Sequence, residues 1–160
     1  MKILALCGSL RAVSSNRAAL EAAALLAPVT LFDGIGKLPH FNPDLDRDPL
    51  PEKVAELRRL IGECDLLLIS SPEYAHGMAG SLKNALDWLV SSVEFPETKV
   101  TLINTSPRAS HAQAQLREVL ATMSAELTET ITLPLLGRPL DAAGILADPE
   151  LSALLRRALT

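Results

Sequence analysis

Short apolar runs alternate with longer amphipathic or Ala-rich stretches from one end of this chain to the other. Residues 2–7 form a short apolar run bounded by Gly8, the pattern of a strand buried on both faces. Residues 16–27 are rich in Ala and Leu and stop at Pro28, which predicts a helix. Residues 29–32 predict a second strand, with Asp33-Gly34 as its turn. Four prolines, Pro39, Pro43, Pro49 and Pro51, crowd residues 34–51, so no regular element fits that excursion. Pro51 suits the first turn of a helix over 51–63. The pattern then predicts a buried strand at 66–71, a helix at 78–92 and a strand at 100–104. A helix at 110–126, a strand at 128–133 and a helix at 149–159 complete it.

Such βα alternation requires right-handed crossovers and a parallel sheet covered on both faces. Five strands in 160 residues predict an α/β flavodoxin-like three-layer sandwich with strand order 2-1-3-4-5, as a single domain over 1–160. In open parallel sheets, ligands bind outside the carboxyl ends of the strands near the switch in strand order. That directs attention to the loops after strands 1, 3 and 4, at residues 8–16, 71–80 and 104–110.

Composition narrows the function. Lys plus Arg is 15 against 19 Asp plus Glu, a net charge of −4, which argues against a nucleic-acid surface. Only five aromatic residues are available to stack bases. No apolar run approaches the ~20 residues needed to span a bilayer, and the amino terminus lacks the long apolar core and cleavage site of a signal peptide. Cys7 and Cys64 stand alone, without a Cys-x-x-Cys pair, as expected of small buried thiols in a reducing cytoplasm.

The first loop, Gly8-Ser9-Leu10-Arg11-Ala12-Val13-Ser14-Ser15-Asn16-Arg17, follows a buried strand and opens a helix. Helix amino termini hold anions through unpaired N–H groups and the positive dipole end. Ser9, Ser14, Ser15 and Asn16 add donors, and Arg11 adds a planar donor fork suited to phosphate. Positions 10 and 13 are Leu and Val, so the dinucleotide fingerprint is absent, and there is no Gly-Lys-Ser/Thr of a P-loop. A terminal monophosphate fits such a loop better than a pyrophosphate or triphosphate. Helix capping explains one of these polar residues, not all of them.

The second notable segment runs from Ser71-Pro72-Glu73-Tyr74-Ala75-His76-Gly77 to Trp88. A proline directly after a buried strand ends the ladder, and Gly77 and Gly80 let backbone approach a ligand. The only Tyr and the only Trp of the chain lie here. An aromatic wall beside backbone donors suits a planar heterocycle. Leu82, Leu86, Leu89 and Val93 form one helical stripe. Lys83 and Asp87 are spaced to pair. Trp88 fits either core packing or a second apolar face buried in a subunit contact.

Three stretches, GSLRAVSSNR, LPHFNPDLD at 38–46 and SPEYAHGMAGSLKNALDW at 71–88, resemble the NADPH-dependent FMN reductase family in order and spacing. This family includes flavin-dependent quinone, azo-dye and chromate reductases. The resemblance implies a flavodoxin-like fold, bound FMN, NADPH or NADH as co-substrate and a homodimer or homotetramer. It places Ser9, Arg11, Ser14, Ser15 and Asn16 at the phosphate and Pro72, Glu73 and Tyr74 beside the isoalloxazine. Ala75, His76, Gly77 and Ser106 complete the expected cofactor contacts. The 38–46 loop and the LKNALDW helix are expected to approach a second subunit. The chain departs from the family at Ala75, where Asn is usual, and at Ala79, where Pro is usual. A third departure is the loop Ser106-Pro107-Arg108-Ala109-Ser110-His111, where glycines are usual.

The implied activity is transfer of hydride from nicotinamide through FMN to a small acceptor such as a quinone, azo compound, flavin or metal oxyanion. The cofactor carries that chemistry, so no protein nucleophile or triad is expected. A non-enzymatic electron carrier, or a relative that has lost tight flavin binding, is the alternative. His40, His76 and His111 lack metal-ligand spacing, so no metal site is expected. His76, His111 and Arg108 fall on the predicted site loops, where either histidine can meet flavin or nicotinamide and Arg108 a nicotinamide phosphate or a flavin carbonyl, with solvated side chains as the simpler expectation. Asp44-Leu45-Asp46-Arg47-Asp48 reads as a solvated loop rather than a calcium site. A receiver domain would need an acidic cluster after strand 1, where Gly8-Ser9 stand, and an Asp where Ser70-Ser71 end strand 3.

Overall fold

A computed structural model describes all residues 1–160. Five parallel strands form its sheet: β1 (Ile3–Cys7), β2 (Val29–Leu31), β3 (Leu66–Ser70), β6 (Lys99–Asn104) and β7 (Glu126–Thr132). Their spatial order is β2-β1-β3-β6-β7, the predicted 2-1-3-4-5 arrangement counted over the parallel strands. Every residue of β1 and β3 is buried, as apolar runs at the centre of a parallel sheet must be. The edge strands β2 and β7 are half exposed.

The period-2 geometry of β1 divides its side chains between two cores. Leu4 and Leu6 join the cluster under α2 (Glu52–Glu63), α3 (Gly80–Leu89) and α4 (Ser110–Thr122). Ile3, Ala5 and Cys7 join the cluster under α1 (Ser15–Leu26), α5 (Ala142–Ala147) and α6 (Pro149–Ala158). Small residues Ala18, Ala19, Ala22 and Ala23 form the buried side of α1 and let it lie close to the sheet. Ser14 caps α1, its Oγ accepting the Arg17 N–H at 3.3 Å.

Several boundaries and elements differ from the sequence expectation. The helix expected over 78–92 spans only Gly80–Leu89. Its first residues are taken by a small antiparallel hairpin, β4 (Glu73–Tyr74) with β5 (Gly77–Met78). The helix expected over 110–126 ends at Thr122, and β7 begins at Glu126 rather than 128. Between them the chain reverses through Ser124 in the left-handed region, at φ 61°. The proline-rich excursion holds single 3-10 turns at Ile35–Lys37 and Pro43–Leu45. Helix α5 was not expected; Asp141 caps it through the Gly144 N–H at 2.8 Å.

Residues 38–46 fold onto α3 of their own chain. Trp88 Nε1 donates to the Pro39 carbonyl at 2.8 Å, and Asn84 Nδ2 donates to the same oxygen at 3.0 Å. The Phe41 N–H donates to Asn84 Oδ1 at 2.7 Å, and the Phe41 ring meets Trp88 edge-on at 5.1 Å. Trp88 is fully buried, so it belongs to the core and not to a subunit contact. Val93 drops out of the expected apolar stripe and stands 89% exposed beyond the end of α3. The Lys83–Asp87 pair forms at 2.6 Å. Asp44, Leu45, Arg47 and Asp48 are exposed, as expected of a solvated loop, and Asp46 is the exception. It accepts from Arg58 Nη2 at 2.9 Å and from the Ser91 hydroxyl, while Arg58 Nη2 also donates to the Trp88 carbonyl at 2.7 Å.

Candidate functional site

The start of α1 and the carboxyl ends of β3, β6 and β7 open into one cleft of about 620 Å³, a size usual for small-molecule and cofactor sites. Gly8 closes β1 against Ser71: a Cβ on Gly8 would lie 2.8 Å from Ser71 Oγ and 3.2 Å from Ser71 Cα. That approach brings the first loop alongside the third-strand loop. The Gly8 N–H continues the ladder to the Ser70 carbonyl at 2.8 Å, and Ser81 Oγ donates to the Gly8 carbonyl at 3.1 Å.

Asn16 is the buried pin beneath the cleft. Its Oδ1 accepts from Ser70 Oγ at 2.8 Å and from Thr105 Oγ1 at 3.3 Å, tying the start of α1 to the ends of β3 and β6. Ser15 and Asn16 line the cleft, and their N–H groups, in the first turn of α1, donate to no acceptor in the chain. Ser9 is buried and folds the loop locally, its Oγ accepting the Arg11 N–H at 3.3 Å. Arg11 and Ser14 line a neighbouring recess that shares Ser15 with the main cleft. The Arg11 side chain is exposed. Ser14 is the one hydroxyl committed to capping.

The opposite wall is the β4–β5 hairpin. Pro72, Glu73, Ala75 and His76 line the cleft. Tyr74 faces a separate recess with Gly8 and Arg11, and Gly77 lines neither. Ala75 and His76 form the two-residue turn, both left-handed at φ 48° and 61°, the combination that a type I′ hairpin requires. Three contacts fasten the hairpin to α4. Glu73 Oε2 accepts the Ala112 N–H at 2.7 Å, Gln115 Oε1 accepts the Met78 N–H at 2.7 Å, and the His76 and His111 rings stack at 4.0 Å. The N–H groups of Ala75 and His76 donate to nothing in the chain.

The third side is the loop after β6. Ser106 lines the cleft, its N–H donating to Asn104 Oδ1 at 3.1 Å. Leu135, Leu136 and Gly137 form a lip that the sequence expectation omitted. The rule that places ligands at strand carboxyl ends also covers the loop after the last strand, so the signal was present. Cys7, at the end of β1, donates to the Ser9 carbonyl at 3.5 Å. Burial pushes its pKa up, which keeps it a thiol at neutral pH. No group of three or more His, Cys, Asp or Glu converges on a metal-sized point.

The profile of the NADPH-dependent FMN reductase family matches residues 1–133. The chain belongs to that family. An NAD(P)H-dependent FMN reductase of Pseudomonas aeruginosa is 41% identical over 100 residues, which cover 60% of this chain and 54% of the relative. A quinone reductase of Escherichia coli is 30% identical over 135 residues, covering 78% of this chain and 72% of that protein. The structure of FerB, a flavoenzyme NAD(P)H:(acceptor) oxidoreductase from Paracoccus denitrificans, superposes with a TM-score of 0.72 at 32% identity. That match covers 79% of this chain and 74% of FerB. The chain spans about half the length of several curated family members it matches. The lip at 135–137 lies outside the stretch that the family profile matches.

Proposed function

We propose that this cleft binds FMN and that the chain catalyses electron transfer from NADPH or NADH to a small acceptor such as a quinone, azo compound, flavin or metal oxyanion. One observation carries this function: the unpaired first-turn amides of Ser15 and Asn16 open into the same cleft as the Pro72–His76 wall. The residues present fit a mononucleotide. Ser15, Asn16 and the recess of Arg11 and Ser14 supply donors and a cation for a phosphate. The free amides of Ala75 and His76 offer donors to a flat polar ring, and the hairpin holds them rigidly through Glu73 and Gln115. FMN, when bound, supplies the two-electron redox chemistry. The chain positions reactants and excludes water. The net reaction with a quinone consumes NAD(P)H and one proton and releases NAD(P)⁺ and the hydroquinone.

Several relatives support the acceptor class by name, including the quinone reductase of Escherichia coli and a 2-hydroxy-1,4-benzoquinone reductase of a Burkholderia species. The proposed assembly is a homodimer or homotetramer. Exposed Leu45, Val90 and Val93 stand beside the Asp46–Ser91 contact and offer it an apolar surface. The proposed location is the cytoplasm, where reduced nicotinamide is abundant and both thiols stay free.

The test is reconstitution of purified protein with FMN, followed by gel filtration. The expected result is a yellow protein absorbing near ~450 nm, as bound flavin demands, that oxidises NADPH when a quinone is supplied. A protein that stays colourless in excess FMN sinks the proposal. A yellow protein without NADPH–quinone turnover points instead to an electron carrier.

A further inference from the structure

Arg108 lies on the loop after β6, exposed and lining the cleft. Its N–H donates to Ser106 Oγ at 3.2 Å, and the Ser106 N–H donates in turn to Asn104 Oδ1 at 3.1 Å. Its guanidinium has no acceptor in the chain. Arg108 is within 4 Å of no carboxylate; Arg11, Arg47, Arg117 and Arg156 are likewise without an ion pair, but of these five only Arg108 lines the cleft. Glu73 is the one carboxylate lining the cleft, and it is occupied with the Ala112 N–H. His76 also lines the cleft, its ring backed by His111 at 4.0 Å and 17°.

An exposed arginine is ordinary by itself. Here it is the one arginine or lysine lining the cleft, and the one carboxylate there, Glu73, is turned to the Ala112 N–H and lies beyond ion-pair distance of it. It also comes from a different loop than the proposed phosphate ligands, Ser15 and Asn16, so the phosphate site does not account for it. A guanidinium fork takes a planar or tetrahedral oxyanion through charge-assisted hydrogen bonds. Partial enclosure strengthens such bonds over those on an open surface.

We infer that the preferred acceptor is a flat aromatic compound carrying an anionic oxygen group, which Arg108 binds. This inference rests on the reductase function proposed here and names its acceptor class. The reduction is the one already balanced: two electrons and two protons reach the quinone carbonyls, and the anionic substituent is unchanged.

The test uses the FMN-loaded full chain at fixed NADPH with two acceptors, 1,2-naphthoquinone and 1,2-naphthoquinone-4-sulfonate. Their intrinsic reactivities differ, so the readout is how the ratio of their kcat/KM values changes between proteins. Arg108→Gln is expected to lower the sulfonate-to-neutral ratio at least about tenfold, and Arg108→Lys to lower it less. Raising salt is expected to lower the ratio in the unaltered protein and to leave it flat in Arg108→Gln. A binding measurement without turnover accompanies it. The Kd of naphthalene-2-sulfonate, read from the flavin absorbance, is expected to rise about tenfold in Arg108→Gln. An equal ratio in both proteins, or equal sulfonate affinity, overturns the inference and leaves the reductase function standing. Failure to hold FMN, or to reduce either quinone, overturns both.

Discussion

At the scale of single residues, the site combines free donors with backbone strain. Arg11 supplies an unpaired guanidinium next to Ser14 and Ser15. Its replacement by Ala is expected to weaken FMN binding by about 1.5–3 kcal/mol, the range for charge-assisted hydrogen bonds, measured by quenching of flavin fluorescence. Ala75 sits at φ 48°, where an L residue with a Cβ is unfavourable by about 1–2 kcal/mol. The Asn usual at this position in the family enters that region more readily, which gives a physical reason for the family's preference. Ala75→Gly is expected to raise stability by about 0.5–1 kcal/mol in urea unfolding, since glycine removes the Cβ conflict at some cost in chain entropy. Neither strained position was legible beforehand, because Ala-His carries no turn signal of the Asn-Gly kind.

At the scale of elements, the parallel strands and their helices were readable because their apolar runs are unbroken and their ends are marked by Gly8, Pro28, Pro51 and Pro72. The β4–β5 hairpin was not, since two-residue strands leave no periodicity to detect. Helix α5 was hidden for a related reason: AAGILA is short and contains a helix-weakening glycine, and its cap becomes plain only with Asp141 in place. The 38–46 loop reveals its anchoring only in three dimensions, where Asp46, Arg58 and Ser91 meet. The Ser91 hydroxyl first, and then the Arg58 guanidinium, hold the Asp46 carboxyl below the usual carboxylate range. A carboxyl lowered in the folded state adds stability that is fully present above its unfolded value of about 4 and is lost as pH falls through the lower folded value. Thermal unfolding between pH 7 and pH 2 is therefore expected to show a loss below about pH 4 that Asp46→Asn reduces. At neutral pH the same substitution is expected to cost on the order of 1–2 kcal/mol.

At the scale of the whole molecule, the two cores grip the sheet from opposite sides while the cleft draws on loops from both layers. A ligand there couples to global unfolding, because it binds only when all those strand ends are in register. FMN at about 100 times its Kd is expected to add about 2.7 kcal/mol and to raise the thermal midpoint by about 5–10 °C, read by differential scanning fluorimetry. The lip formed by Leu135, Leu136 and Gly137 lies beyond the stretch that the family profile matches. It follows the final strand, and the next segment is anchored independently by the Arg138–Asp148 pair at 2.8 Å and by Asp141. Leu135 is buried in the core and Gly137 turns at φ 74°, which leaves half-exposed Leu136 as the position free to vary. Leu136 can thus be exchanged like the bit of a drill, altering what the cavity admits while the machine that turns it stays the same.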